Sequence, residues 1–376
     1  TFLKNNFTNF IKMNLRLFLA LSLLFCQFSL VLAQEDLSWN NPLKSPNKNL
    51  IHGQGWTGLD YHRLPDDAEN KVRKAVWGLS RHAAGVKLKF NTNAQEIKVR
   101  YVVSGRQAMP HMPATGVSGL DLYIRDSPEW IWVRGSYSFG DTIQYIFPLK
   151  AGIATAKDFD LYLPLYNEVT FLEIGVDNDA DFSFISPSNN EMPVVVYGTS
   201  IAQGGCASRP GMAWTAILER MINKPMINLG FSGNGLLEEP LIDYMATINS
   251  SLYVLDCLPN LVRDTFSEEE VTKRMMDSVR KLKAERPDTP ILMVEHAGYT
   301  DELVNMDRKN AYQGRNNLSK EAYQMLIAEG VEELYYLEKE EIGLTMEGTV
   351  DGTHPTDLGM DQHAKGYYSI VKEILD

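Results

Sequence analysis

Two rhythms divide this chain, and each permits only one kind of sheet. GVKLKFNTNAQEIKVRYVV (85–103), GLDLYIRD (119–126), WIWVRGSYSFGDTIQYIFPL (130–149) and FDLYLPLYNEVTFLEIGV (159–176) alternate apolar with polar residues. Side chains on a strand point to opposite faces in turn. A period of two in segments rich in Val, Ile, Tyr, Phe and Trp therefore predicts an antiparallel β-sandwich from about Leu37 to Phe184. A short helix is expected near Glu69 to Leu79. After the polar, proline-bearing ISPSNNEMP (185–193), apolar strand candidates at 193–198, 226–230, 252–258, 290–296 and 333–338 alternate with helical stretches such as 212–223 and 267–285. Continuous apolar strands separated by helices predict a doubly wound parallel sheet, covered on both faces. The expected division is residues 34–187 for the sandwich and 188–376 for the α/β part.

MNLRLFLALSLLFCQFSLVLAQ (13–34) has Arg16 near its start, an apolar run, and Val31-Leu32-Ala33 before Gln34. That is the pattern of a secretory signal, so residues 1–33 are set aside from the fold, and export with cleavage near Ala33 is expected, to the periplasm or the exterior. Leu17–Leu32 is short and interrupted for a span of about 20 apolar residues, so stable membrane insertion is not expected. Removing Lys4, Lys12 and Arg16 leaves 33 basic against 48 acidic residues, a net charge of −15. Such a surface repels polyanions, which excludes nucleic acid as the expected partner. Cys206 and Cys257 remain, with no C-x-x-C and no His-Glu-x-x-His, so no metal or cofactor is expected.

Ligands of doubly wound sheets bind beyond the carboxyl ends of the strands, so polar residues there are the candidates. VVVYGTSIAQGG (194–205) places Ser200 just past the first strand. A capping serine in a strand-to-helix turn is the ordinary reading. A phosphate loop is excluded because no lysine follows the glycines, and the G-x-S-x-G elbow fails at Ala202. NLGFSGNG (228–235) follows the second strand, where a glycine turn is the default, and LDCLPN (255–260) places Asn260 after a proline. DGTHP (351–355) sets Asp351 three residues before His354. A carboxylate so spaced can hold the imidazole through Nδ1–H and leave Nε2 to take a proton from a serine. A serine, an oriented base and neutral donors at successive strand ends compose an acyl-transfer set.

Those four blocks, GTSIAQGG, NLGFSGNG, LDCLPN and DGTHP, resemble the SGNH (GDSL-type) hydrolases across residues 193–376. The resemblance implies a flavodoxin-like sheet, with Ser200 as nucleophile, His354 as base and Asp351 orienting it. It also implies an oxyanion hole from the Ser200 N–H, the Gly233 N–H and the Asn260 amide, the S-G-N stretch fitting Gly233 better than Gly230. Thr199 stands where the family has aspartate, and L-P-N-L where it has G-x-N-D, which marks a divergent subgroup. SGLDLYIRD (118–126) is similar to the G-x-D-L-Y stretch of a jelly-roll-like sandwich fused to such esterases in Bacteroidetes-type bacteria. The resemblance implies a serine esterase removing short acyl groups, acetyl foremost, from small esters or acylated oligosaccharides. The alternatives are a general short-chain lipid or aryl esterase, or a non-catalytic carbohydrate-binding protein on the same scaffold.

Several residues stay open. Cys206 and Cys257 follow neighbouring strands of such a sheet, where either a disulfide or two buried thiols would serve. Glu295 and His296 end the fourth strand and either shape the site or support it. Arg209 and Arg263 either hold a polar substrate or are ion-paired in loops. His363 is expected as an ordinary helix residue. Trp130, Trp132 and Tyr137 either present a sugar-binding face or, by default, fill the core.

Overall fold

The first half forms eleven strands among the described residues: β1 (Leu37–Asn40), β2 (Ile51–His52), β3 (Lys87–Thr92), β4 (Glu96–Val103), β5 (Asp121–Asp126), β6 (Glu129–Val133), β7 (Ser136–Ser138), β8 (Ile143–Pro148), β9 (Lys157–Tyr162), β10 (Val169–Asp177) and β11 (Phe182–Ile185). The computed structural model describes residues 37–126, 129–149, 156–188 and 190–376. The expected signal segment, residues 1–33, lies outside the described residues.

One sheet has the order β1-β10-β4-β8-β7, and the other β11-β3-β9-β5-β6 with β2 beside β3. The pairs β10–β4, β4–β8 and β8–β7 of the first sheet and β11–β3, β3–β9, β9–β5 and β5–β6 of the second are antiparallel. In β8, Ile143, Tyr145 and Phe147 are buried while Gln144 and Pro148 are exposed, as a period of two requires. These residues share one core with Leu88, Phe90, Leu122, Phe159 and Leu161 of the other sheet, so the two sheets form a sandwich. The helix expected near 69–79 is Lys74–Ser80, preceded by a 3₁₀ turn at Asp66–Asn70.

In the second half, β12 (Val194–Gly198), β13 (Met226–Gly230), β14 (Leu252–Asp256), β15 (Ile291–Val294) and β16 (Leu334–Leu337) make a wholly parallel sheet of order β13-β12-β14-β15-β16. Val195 and Tyr197 face one apolar cluster, and Val194 and Val196 the other, which is why this strand reads as an unbroken apolar run. The long helices Glu268–Glu285, Met306–Ala328 and Asp357–Leu375 cover the sheet with the shorter Trp214–Ile222 and Glu239–Ala246. The strand order reverses at β12, where an open α/β sheet leaves its ligand crevice.

Trp39–Val176 and Ala180–Asp376 belong to one contact-dense unit, which contains both the sandwich core and the parallel sheet. Among the described residues no helix is long and apolar enough to cross a membrane.

Candidate active site

Ser200 opens a four-residue helix, Ser200–Gln203, directly after β12. The Thr199 side chain caps this helix by accepting from the Ile201 N–H, and Gly204 ends it in the left-handed conformation at φ 99°. A Cβ on Gly198 would lie 2.6 Å from the Ala202 side chain and 3.0 Å from the Asp256 carbonyl oxygen, so only glycine allows this tight exit from the strand. The serine is buried, with 7 % of its surface exposed.

The DGTHP segment is a local device. Asp351 Oδ1 accepts the backbone N–H groups of Thr353 at 3.1 Å and His354 at 2.8 Å, an Asx-type turn that aims its other oxygen at the imidazole. Asp351 Oδ2 lies 2.8 Å from His354 Nδ1, and His354 Nε2 lies 2.8 Å from Ser200 Oγ. A carboxylate on Nδ1 fixes the proton there, so Nε2 is the acceptor of the serine hydroxyl. Burial pushes the Asp351 carboxyl's pKa up, but the N–H and imidazole of His354 outweigh it and hold the group below the usual carboxylate range.

Tertiary contacts hold this loop in place. Ser208 donates its N–H and hydroxyl to Asp357 at 2.8 and 2.5 Å, tying the loop after Ser200 to the helix after His354. Trp214 and Tyr367 pack ring to ring at 4.2 Å between the helices Trp214–Ile222 and Asp357–Leu375, a contact worth about 0.5–1.5 kcal/mol beyond its area. Arg308 donates to Thr353 Oγ1 at 3.0 Å and to Asp301 at 3.1 Å.

The other two blocks meet beside Ser200. Gly233 takes φ 67°, the left-handed region that favours glycine, and its carbonyl accepts from Arg263 at 2.8 Å. Asn260 Oδ1 accepts the Gly235 N–H at 3.0 Å, which turns the amide so that Nδ2 is its free donor. The Gly230 N–H is already bonded to Asn228 Oδ1 at 2.8 Å, whereas those of Ser200 and Gly233 have no backbone acceptor among the described residues. The geometry thus favours Gly233 over Gly230 as a donor.

The open residues resolve in several ways. Cys206 and Cys257 are free buried thiols, so the disulfide alternative is not the one adopted. Cys257 packs on the Tyr197 face with its Sγ 3.5 Å from the Tyr197 carbonyl, whereas burial and the nearby Asp351 charge push the Cys206 thiol up to about 12. Glu295 supports the structure, accepting from the Lys339 N–H at 2.8 Å and the Tyr336 hydroxyl at 3.0 Å. His296 Nδ1 accepts the Gly298 N–H at 2.8 Å, and burial lowers its pKa to about 3. Arg209 is the ion-paired residue of the two readings, 2.7 Å from Asp121 of the sandwich, while Arg263 grips the Gly233 loop. His363 is a buried helix residue beside the Gly359 carbonyl. The core default fails for Trp132 and Tyr137, which are 45 % and 56 % exposed; Trp132 lies under the Arg209 guanidinium at 4.4 Å. Among the described residues no group of three or more His, Cys, Asp or Glu side chains could hold a metal ion.

Sequence reading missed what the first half brings here. Arg63 is fully buried and donates to Gly230 O at 2.5 Å, Leu79 O at 2.6 Å and His82 O at 2.8 Å, clamping the NLGFSGNG strand end. The Tyr166 hydroxyl donates to the Ser200 carbonyl at 3.2 Å, and the His111 ring lies 6.3 Å from the His354 ring. These partners are 16 to 243 positions apart in the chain, and no periodicity marks them.

Residues 191–372 match the model of the GDSL-like lipase/acylhydrolase family, and residues 37–182 match the GxDLY domain, the N-terminus of SGNH-hydrolase-type esterases. A protein of known structure from Bacteroides ovatus, named as a GDSL-like lipase, is 33 % identical with a TM-score of 0.82 over 90 % of this chain and 98 % of its own. The salicylyl-acyltransferase SsfX3 of a tetracycline biosynthetic pathway is 19 % identical, with TM-score 0.72 over 90 % of this chain and 98 % of its own. The acetyl xylan esterase Est2A of the rumen bacterium Butyrivibrio proteoclasticus is 12 % identical, with TM-score 0.52 over 90 % and 99 %. The last two likenesses show the fold alone. None of the curated proteins matches the chain. The chain belongs to the GDSL-like lipase/acylhydrolase family, as an SGNH-type esterase with a GxDLY sandwich at its N-terminal side.

Proposed function

We propose that this protein is an exported serine esterase that hydrolyses short acyl esters, acetyl foremost, on carbohydrate by way of an acyl-enzyme. The observation that carries the proposal is the unbroken chain from Asp351 Oδ2 through the His354 ring to Ser200 Oγ, with 2.8 Å at each step. Ser200 Oγ attacks the ester carbonyl as His354 Nε2 takes its proton. The Ser200 N–H, the Gly233 N–H and the Asn260 amide hold the negative charge that develops on the carbonyl oxygen. Collapse of this intermediate breaks the ester bond, and the proton on His354 passes to the departing alcohol. Water, deprotonated by His354, then attacks the acyl-enzyme, releasing the acid and restoring Ser200. Asp351 keeps the imidazole in its working tautomer throughout. None of these steps calls on a metal or cofactor.

The acetyl xylan esterase that shares the fold supports acetylated sugar as substrate. A second reading, a general short-chain lipid or aryl esterase, is favoured by Leu303 and Val304. They are 84 % and 88 % exposed on the segment whose Thr300 N–H bonds the Gly352 carbonyl of the histidine loop. Acetate release from acetylated xylan or mannan oligosaccharides and from p-nitrophenyl acetate separates the readings by relative kcat/KM. Ser200→Ala is expected to lower kcat by about 10⁴-fold or more on both substrates. A variant as active as the wild type overturns the mechanism, and glycan binding without acetate release by either protein points to a non-catalytic binding protein.

A further inference from the structure

His111 sits at the tip of a tight turn that the sandwich extends toward the catalytic half. Met109 and Met112 exchange both backbone hydrogen bonds, at 3.0 and 3.1 Å, so Pro110 and His111 are the two central residues of the turn. Proline fixes the backbone of the first central position. The base of the turn is anchored, with Met112 buried, the Thr115 hydroxyl donating to the Ser208 carbonyl at 2.7 Å, and Gly116 seated against the Ala207 carbonyl. Ser208 is in turn bonded to Asp357, so the turn is braced on the same segment that braces the histidine loop. The result is an exposed imidazole whose ring centre is 6.3 Å from that of His354, tilted by 35°.

The His111 ring nitrogens have no protein hydrogen-bond partner or ion pair among the described residues, although imidazole both donates and accepts. In the acyl transfer proposed above, on which this inference rests, the acyl carbonyl lies toward the Ser200 and Gly233 N–H groups and the Asn260 amide. The departing oxygen must lie on the His354 side, because that ring returns its proton. A second imidazole beside His354 therefore faces the alcohol half of the ester. We propose that His111 determines specificity for esters of polyhydroxylated alcohols, its free ring nitrogens binding a hydroxyl that neighbours the ester oxygen.

The test compares His111→Ala with wild type on an acetylated xylo-oligosaccharide and on p-nitrophenyl acetate, whose leaving group carries no such hydroxyl. Loss of one hydrogen bond is expected to lower kcat/KM on the oligosaccharide by about 3–10-fold, with the aryl ester unchanged. His111→Gln, which keeps a donor and an acceptor, is expected to recover part of that loss. Equal losses on both esters, no loss on either, or a wild type that cleaves only the aryl ester overturn the inference while leaving the esterase reading in place. A wild type inactive on both esters overturns the esterase reading itself.

Discussion

In the sandwich, Lys87 lies between Asp160 of the adjacent strand and Glu219 of the catalytic half, at 2.7 and 2.8 Å; at the carboxyl end of β14 in the parallel sheet, the equally buried Asp256 has no ion-pair partner among the described residues. Burial alone would lower the Lys87 pKa, but the two carboxylates hold it well above the ordinary value. Burial lifts the Asp256 carboxyl to about 7, and only the Tyr367 hydroxyl pulls the other way. The paired cluster is specific in geometry, because a strand of the sandwich must meet the helix Trp214–Ile222 at one register to satisfy it. The unpaired carboxyl imposes no such register and instead makes stability depend on pH. The contrast assigns the two halves different work. The parallel-sheet half supplies the reacting groups, and the sandwich supplies buried contacts that hold them, with His111 as its exception.

The sharpest break in that division would come from Lys87→Met, which strands two buried carboxylates. It is expected to cost about 3–5 kcal/mol, seen as a lowered melting temperature, with kcat of the folded enzyme unchanged. A fall in kcat without a change in melting would mean that the cluster serves the reaction and that the division is wrong. Asn260→Ala is expected to weigh the other way, a loss of about 10²–10³ in kcat with a smaller fall in melting temperature than Lys87→Met, because the buried Gly235 N–H loses its acceptor. If kcat holds, Asn260 is only the acceptor of the Gly235 N–H.

Asp256→Asn is expected to have the smallest effect, and its sign follows from linkage. The unfolded carboxyl ionises near 3.9 while the folded one ionises at about 7. Between those values the native state keeps a proton that the unfolded chain has lost, so wild-type stability declines as pH rises through this window. The asparagine variant lacks that slope, and its melting temperature relative to wild type should rise from about pH 5 to about pH 8. A gap that stays constant would mean that Asp256 is ionised in the folded protein.

The sequence by itself determined whatever local geometry enforces. Alternation in IQYIFP and the unbroken VVVYG set which faces of those strands are buried, because a strand's side chains alternate by construction. The spacing of Asp351 and His354 was equally legible, since a carboxylate can reach the N–H groups two and three residues on without help from the rest of the chain. Helix positions followed in the same way, as with Glu268–Glu285 and its Ser267 cap. Tertiary structure decided everything that depends on which surfaces meet. The 2.8 Å contact of Ser200 with His354 spans 154 positions and exists because β12 and the terminal helix deliver their ends to one place. Cys257 is turned toward the Tyr197 carbonyl rather than paired with Cys206, Arg209 faces Asp121, Trp132 lies exposed under that arginine, and His111 reaches His354 from the other half. No pattern of a few residues encodes these, because each contact's partner is chosen by how sheets and helices far apart in the chain pack together.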